Sequence, residues 1–412
     1  MKLYCEKVNF NNKLKTYDII LDFNSMADLE KVAQLLEVQI SRESSKTLLH
    51  FQKMKFEAYK GPRAGSWYDI PACIFEEFRI LNEEEGRENR LIRFYLEQKS
   101  TAKLNFQQFL TTKEIIREFE MIEKFTESKL YKDMKKKEKF GNLELIVKDV
   151  GCGNWNEIVE RRRCYCDGDL KCEFFDWFFR YSMFRLIYDL GGDVKFSNEE
   201  MNEILNKVNI DRPYYAVISH WDLDHYRGIL DLNDVELKLM KNLVAPSKIP
   251  NTLQANKALN RLKSLGIRID IIKPSPKTGR RIDLISQGKI NNFELFRSTD
   301  GSNINQSGIV LSVEGNDSIG LLTGDHSYRQ IYKVISNSKI EKPYVMVVPH
   351  HGGNAGKFDE ALWSTVSLAS GCISTKSARY TNLPQNKIHN FFMNQKSFHC
   401  TECHKRDYEQ ML

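Results

Sequence analysis

Residues 216–230 of the chain read AVISHWDLDHYRGIL, so that two histidines and two aspartates fall within six positions. The apolar beginning predicts a buried strand, and the HWDLDH segment is therefore predicted to form the loop that leaves this strand. Imidazole and carboxylate groups at alternating positions can converge on one cation, while the adjacent Asp224 and His225 can serve a second cation nearby. The spacing predicts a site for two metal ions, and a role in helix capping alone is the less favoured alternative.

The composition describes an ordinary globular protein. The chain has 412 residues, of which 41% are hydrophobic and 28% charged, so it can bury a core and is long enough for two domains. It contains no apolar stretch of membrane-spanning length, and its first residues lack a secretion signal, so we expect a cytoplasmic protein without membrane contacts. The nine cysteines are then expected to be reduced, and the net charge of +6 permits anionic partners without identifying them.

The pattern of strands and helices changes near residue 140. Residues 1–140 alternate strand-like runs with helix-like runs, including a long helix over residues 113–134, and predict an α+β accessory domain of unassigned role. The charged segment KDMKKKEKFGN marks the predicted boundary. In residues 141–412, short apolar strands repeatedly end in acidic residues or histidines, which predicts an α/β domain that carries the site.

The HxDxDH pattern resembles the signature loop of the metallo-β-lactamase fold, whose commoner form is HxHxDH. The aspartate at the third position is typical of the hydrolase domain of the competence protein ComEC. Further motifs occur in the order of that family, and together they cover roughly residues 142–395: DVGCG with Asn154 (149–154), YDLGG (188–192), NQSGIVL (305–311), LLTGD (321–325) and VPHHG (348–352). The resemblance implies an αββα sandwich.

The resemblance also implies a ligand set for two divalent ions. The family's metal ligands fall on His220, Asp222, Asp224, His225, Asp325 and one of the pair His350 and His351, of which the family pattern favours His350. Asp325 would bridge both ions. The imidazole that many relatives contribute between the HxDxDH loop and the bridging aspartate is missing here. The carboxylate-rich set favours Mn²⁺ or Mg²⁺ as alternatives to Zn²⁺.

In the family, this centre hydrolyses its substrate through a hydroxide that bridges the two metals. Asp224 would orient that hydroxide and Asp325 would fix the metal spacing. Either His389 or the second histidine of the 350/351 pair would protonate the leaving oxygen. Three aspartates against two divalent ions leave a net positive pocket, which favours a phosphodiesterase or nuclease acting on DNA or RNA.

Two alternatives remain at this stage. A phosphodiesterase for small or cyclic nucleotides would require a tight, closed pocket instead of a basic groove. The chain can also be a subunit of a bacterial assembly directed against foreign DNA, with residues 1–140 docking a protein partner.

Two groups of cysteines remain outside these motifs. Cys164, Cys166 and Cys172 lie in a predicted insertion, and residues 399–404 read HCTECH. We expect reduced, unpaired thiols, and a structural zinc site is the alternative.

Overall fold

A computed structural model describes most of the chain as a mixed α/β structure with three β-sheets. The residues that it describes are 1–38, 47–56, 61–84, 92–98, 107–109, 119–137, 140–161, 184–277, 279, 281–301, 303–338, 340–376, 380, 383–395 and 397–412. The first cysteine group, Cys164, Cys166 and Cys172, lies outside these residues.

The first sheet is built from the N-terminal part of the chain. Its seven strands lie in the order β5 (Phe78–Glu84), β6 (Ile92–Gln98), β3 (Thr47–Met54), β2 (Thr16–Phe23), β1 (Lys2–Asn11), β4 (Ser66–Asp69) and β7 (Gln107–Phe109). The paired strands β1 and β2 shift register between Cys5 and Lys7, which is a β-bulge. Such a bulge changes the direction in which the side chains of a strand point.

The second sheet has eight strands. Its order is β22 (Tyr408–Met411), β9 (Asn142–Val147), β10 (Trp155–Arg161), β11 (Arg185–Leu190), β12 (Tyr214–Val217), β13 (Met240–Pro246), β14 (Ile269–Ile272) and β8 (Glu120–Ile122). The strands from β22 to β11 pair antiparallel, and those from β11 to β8 pair parallel.

The third sheet repeats this division into an antiparallel and a parallel half. Its order is β15 (Leu284–Ile290), β16 (Phe293–Ser298), β17 (Ile309–Glu314), β18 (Ile319–Leu322), β19 (Tyr344–Val347), β20 (Leu368–Ile373) and β21 (Phe398–Cys400). The strands from β15 to β18 are antiparallel, and those from β18 to β21 are parallel.

Helices connect many of these strands, and side chains cap several of their amino ends. Ser197, for example, forms a reciprocal capping box with Glu200. The helices are α1 (Met26–Leu35), α2 (Lys129–Lys135), α3 (Asn198–Val208), α4 (Leu223–Asp231), α5 (Asp234–Lys238), α6 (Leu253–Ser264), α7 (Tyr328–Asn337), α8 (Glu360–Trp363), α9 (Asn386–Met393) and α10 (Thr401–His404), with short 3₁₀ turns at Ala72–Glu77, Phe125–Glu127 and Pro349–Gly352. In the part of the chain described here, no helix has the length and apolarity needed to span a bilayer.

The second and third sheets share one apolar core. Leu145 and Ile158 of the second sheet belong to the same buried cluster as Leu311 and Val345 of the third sheet. Separate apolar clusters lie beneath the helices: α4 and α6 contribute to the cluster on the second sheet, and α7 and α9 to that on the third. The two sheets thereby bring the carboxyl ends of their parallel strands close to each other.

Many predicted elements are present. The short apolar runs of residues 141–412 that end in acidic residues or histidines include 143–150, 184–190, 319–325 and 344–350, and each of these contains a strand of the structure. The long helix predicted over residues 113–134 is wrong: within the described residues of that range, 120–122 form strand β8, and helix α2 begins only at Lys129. Because β8 pairs with β14, its residues follow the sheet instead of helical periodicity. The domain boundary near residue 140 stays a prediction, although sheet membership already changes before β8.

Candidate metal centre

The HWDLDH segment leaves the carboxyl end of β12 and enters helix α4 at Leu223; we call residues 218–225 the metal loop. Its backbone is held closely from two sides. Ser219 O accepts a hydrogen bond from Ile309 N–H of the third sheet, and Asp224 O accepts one from Asn154 N–H. Gly191 lies so near that an added Cβ would be 1.8 Å from Asp224 O. The loop is therefore fixed between the two sheets.

One group of donor atoms forms where the metal loop meets the LLTGD segment. His220 Nε2 lies 3.4 Å from Asp222 Oδ2 and 4.0 Å from Asp325 Oδ2. His225 Nε2 lies 3.4 Å from Asp325 Oδ1. Each of these four residues is at most 4% exposed. His220, His225 and Asp325 offer ligand atoms that all lie within 4.8 Å of one another, close enough for one ion.

A second group shares His225 with the first. His225 Nε2 is 4.0 Å from Asp224 Oδ1, and His351 Nε2 is 3.8 Å from Asp224 Oδ2. Asp224, His225 and His351 are all buried and could hold a metal ion. The two neighbouring groups indicate two metal positions, and the structure does not identify the metals.

The three histidines of these two donor groups are oriented by hydrogen bonds on their Nδ1 side. Asp189 Oδ2 lies 2.8 Å from His225 Nδ1 and also accepts a hydrogen bond from the hydroxyl of Ser219. Ser219 Oγ in turn lies 3.0 Å from His220 Nδ1, and the Ser374 carbonyl lies 2.9 Å from His351 Nδ1. With Nδ1 engaged in this way, each Nε2 lone pair can face the cluster, as in histidines that ligate metals.

The atoms that face the cluster are those without hydrogen-bond partners. Nε2 of His220, His225 and His351 and Oδ1 of Asp325 are buried and have no hydrogen-bond partner among the described residues. Buried polar atoms are normally satisfied, because an unmade hydrogen bond costs about 1–3 kcal/mol. Four such atoms converging on one place fit bound cations, which accept lone pairs from imidazole and carboxylate groups.

A role of the metal-loop aspartates in helix capping alone does not account for these contacts. Asp222 occupies the N-cap position of α4, but its carboxylate forms no capping hydrogen bond within the described part of the chain. Instead, Glu6 Oε2 accepts a hydrogen bond from Leu223 N–H at 3.2 Å. Asp222 is thus left to face His220 and the hydroxyl of Tyr4, which is 3.4 Å from its Oδ1.

The PHHG segment presents its two histidines differently. Both have a left-handed backbone, with φ of 51° for His350 and 54° for His351, a conformation that costs energy and is concentrated at functional sites. His351 is buried in the second donor group. His350 is 27% exposed in its side chain, and its Nδ1 contacts Asp325 Oδ2. The structure thus brings both histidines to the centre, and the assignment of His350 as the metal ligand stays a prediction.

The charges of the cluster are coupled. Burial opposes the charge on Asp325, but His350 and His225 outweigh it and hold the pKa of this carboxyl well below its usual range. Burial likewise opposes the charge on Asp224, yet Lys7 and His225 lower its pKa to about 2. Burial lowers the pKa of His351 to about 4, which leaves its imidazole neutral at pH 7. Burial also opposes the charge on His225, but its neighbouring carboxylates outweigh it and raise the pKa of this imidazole well above its usual value. Ionised carboxylates and neutral imidazoles are the forms that bind metal, so a metal that binds here must displace the proton of His225.

The N-terminal sheet contributes a wall of this centre that the sequence did not reveal. Lys7 Nζ forms an ion pair with Asp224 Oδ2 and lies 5.5 Å from the centre of the Tyr380 ring. Burial opposes the charge on Lys7, but Asp224 and Asp325 outweigh it and raise its pKa above the ordinary lysine value. The bulge in β1 allows Tyr4, Glu6 and Lys7 all to reach the metal loop. The segment KLYCEKVNF carries no motif, so only the fold identifies these residues.

The remaining predicted catalytic residue, His389, lies in another group. Its Nε2 is 3.6 Å from Cys403 Sγ, and together with Cys400 and Cys403 it forms a third group of potential metal ligands. Its assignment as a proton donor to the leaving oxygen is not tested by this position. Asn305, from the NQSGIVL motif, reaches the centre instead, with its Nδ2 3.4 Å from Asp325 Oδ2.

The sequence matches no protein-family model and no curated protein. Among solved structures, the crystal structure of CmlA, a diiron beta-hydroxylase from Streptomyces venezuelae, is similar in part. The sequence identity is 10% and the TM-score is 0.34, and the match covers 66% of this chain and 54% of that one. The chain thus matches about half the length of that structure, and the chemistry of the centre is inferred from its own contacts.

Proposed function

We propose that this chain is a dinuclear metal-dependent hydrolase with the αββα metallo-β-lactamase fold, and that it cleaves phosphodiester bonds of DNA or RNA. The observation that supports this function is the convergence of four buried donor atoms, on His220, His225, His351 and Asp325, which lack hydrogen-bond partners among the described residues. An enzyme that binds two cations requires such a set, whereas a purely structural core would satisfy or avoid these groups.

The ligands divide into two sets. His220, Asp222 and Asp325 would hold one ion, and Asp224, His225 and His351 would hold the other. Two divalent ions so held supply water activation near neutral pH and stabilise the charge that develops on a phosphoryl oxygen. The surrounding protein contributes orientation, because Asp189 and Ser219 fix the imidazole rings and Asn305 contacts the Asp325 carboxylate.

Charge supports an anionic substrate. Three aspartates against two divalent ions leave one net positive charge, to which Lys7 adds another. This positive charge favours a phosphodiester over a neutral substrate such as a lactam.

The two histidines of the PHHG segment have different surroundings, which supports a different role for each. His351 is buried, is oriented by Ser374 and faces Asp224, so we assign it to the metal ligands. His350 is more exposed and is held beside Asp325, where it can donate a proton to the leaving oxygen of a substrate. This assignment replaces His389 as the general acid and takes the second histidine, not the first, as the ligand.

The test uses the purified full chain with Mn²⁺ or Zn²⁺ and five substrates: labelled single-stranded DNA, duplex DNA, RNA, a cyclic nucleotide and bis(p-nitrophenyl) phosphate. We expect cleavage of a polynucleotide by the wild type, loss of cleavage in Asp325→Ala, and retention in Asp317→Ala, which alters an exposed aspartate. Turnover of the cyclic nucleotide alone would favour the small-nucleotide alternative. Cleavage that persists in Asp325→Ala would contradict the proposed centre.

A further inference from the structure

A second group of metal-ligating side chains lies near the end of the chain. His389 Nε2 is 3.6 Å from Cys403 Sγ, and Cys403 Sγ is 2.7 Å from Cys400 Sγ. The ligand atoms of all three side chains lie within 4.8 Å of one another. Nothing in the proposed hydrolysis uses these residues, so they require a separate explanation.

The fold holds the two sides of this group independently. Cys400 ends strand β21, which pairs in parallel with β20, and it begins the single turn of α10. The turn brings Cys403 back over Cys400, and Cys403 N–H donates a hydrogen bond to Cys400 Sγ at 3.3 Å. His389 comes from α9, which is fixed on β21 by the contact of Phe392 with Phe398, whose ring centres are 5.2 Å apart. The three donors are thus held close together by two different elements.

The donor set favours a bound cation over a disulfide. Two cysteines on one turn could form a disulfide, but a structural disulfide does not require an imidazole nitrogen beside the sulfurs. Two thiolates and an imidazole are ligands that Zn²⁺ prefers. Cys400 is buried and Cys403 is exposed, so an ion can enter from solvent and keep a solvent-facing position.

We propose that His389, Cys400 and Cys403 bind a Zn²⁺ ion that is separate from the hydrolytic centre, with the fourth coordination position open to solvent. Binding displaces the two thiol protons to solvent, as thiolate ligands require. The ion joins α9 to the segment that leads into β22, and β22 crosses to pair with β9 of the second sheet. The site therefore secures the C-terminal connection between the two large sheets, and it does not depend on the proposed catalytic activity.

The test exploits the thiolates. Of the three donor groups found among the described residues, only the C-terminal one contains thiolates, so a thiolate-to-metal charge-transfer absorption with Co²⁺ that is lost on replacement of Cys403 reports on this group and not on the hydrolytic centre. The full chain, purified under a non-thiol reductant, is loaded with Co²⁺ or Zn²⁺, and absorption and bound metal are measured. We expect the band in the wild type. In Cys403→Ser, the band should be absent and one equivalent less of zinc should be bound. This variant should fold, because Cys403 is exposed.

Two further variants separate this site from the hydrolytic centre. Cys5→Ala removes a buried thiol of the N-terminal core and should leave the band unchanged. Asp325→Ala should keep the band while it abolishes hydrolysis, so failure of one proposal is distinguishable from failure of the other. His389→Gln should weaken zinc binding and shift the band. The proposal is overturned if the reduced wild type shows no band, if Cys403→Ser binds as much zinc as the wild type, or if mass spectrometry finds the two cysteines joined in a disulfide.

Discussion

Replacement of Lys7 by methionine tests whether the N-terminal strand is part of the metal centre. The change keeps most of the side-chain volume and removes the charge that faces Asp224. The side chains of this ion pair are only 13% and 3% exposed, so it belongs with buried pairs and not with surface pairs. Loss of one partner of a buried pair costs about 3–5 kcal/mol, because the other charge is left uncompensated, whereas an exposed pair contributes at most about 1 kcal/mol.

We therefore expect Lys7→Met to destabilise the metal-free protein by about 3 kcal/mol. A cation bound beside Asp224 replaces the missing charge, so the metal-loaded variant should lose much less stability. By linkage, the difference must appear as tighter metal binding, and about 3 kcal/mol corresponds to a Kd lowered about a hundredfold.

The assay is competition with a chelator of known affinity, which gives the Kd for Zn²⁺ or Mn²⁺ in the wild type, Lys7→Met and Lys2→Met. Lys2 begins the same strand but is exposed, so its replacement should leave the Kd unchanged. An unchanged Kd in Lys7→Met, or weaker binding, would refute the view that Lys7 and a cation compete for Asp224.

Three further predictions concern other parts of the structure. Asp189→Asn should weaken metal binding about 10–100-fold, because the residue orients the ligands through its hydrogen bonds, and unchanged affinity would contradict that role. Gly191→Ala places a Cβ 1.8 Å from a carbonyl oxygen of the metal loop, so this variant should lose metal binding. The control Gly279→Ala, whose Cβ would have no atom within 4 Å, should bind metal as the wild type does. Equal metal content in the two variants would show that the metal loop can shift to accommodate the Cβ. Burial opposes the charge on Glu160, but hydrogen bonds, first from Lys137, outweigh it and lower the pKa of this carboxyl. The Glu160–Lys137 pair therefore stabilises the fold at neutral pH, and this stabilisation is lost as the pH falls through the lowered pKa. Denaturation of Lys137→Met should accordingly show a stability deficit at pH 7 that narrows in acid, and a deficit independent of pH would contradict it.

The sequence predicted the candidate site best where ligand-type side chains directly follow a strand. The motifs around His220, Asp325 and His351 each follow a short apolar strand, and these strands lie in the parallel halves of two sheets. Parallel neighbours end at the same edge, which accounts for the meeting of Asp325 and His351 at the ends of β18 and β19. That His220, which follows a strand of the other sheet, would join them was expected only from the resemblance to the metallo-β-lactamase fold.

The contribution of the N-terminal strand to the metal centre could not be predicted from the sequence in this way. Lys7 and Glu6 lie more than 200 positions before their partners Asp224 and Leu223, and an isolated charged residue on a strand is usually solvated. Their contacts depend on how the first sheet packs against the metal loop and on the bulge after Cys5. The misplaced helix over residues 113–134 has a similar cause, because the pairing of β8 with β14 overrides the local pattern.

The most direct test of the central claim is an anomalous-scattering map from crystals of the full chain grown with saturating Mn²⁺ or Zn²⁺. We predict two neighbouring peaks about 2.0–2.3 Å from the nearest nitrogen and oxygen ligands, one beside His220 and Asp325 and the other beside Asp224 and His351. A map without peaks at these side chains under saturating metal would show that the residues gather for another reason.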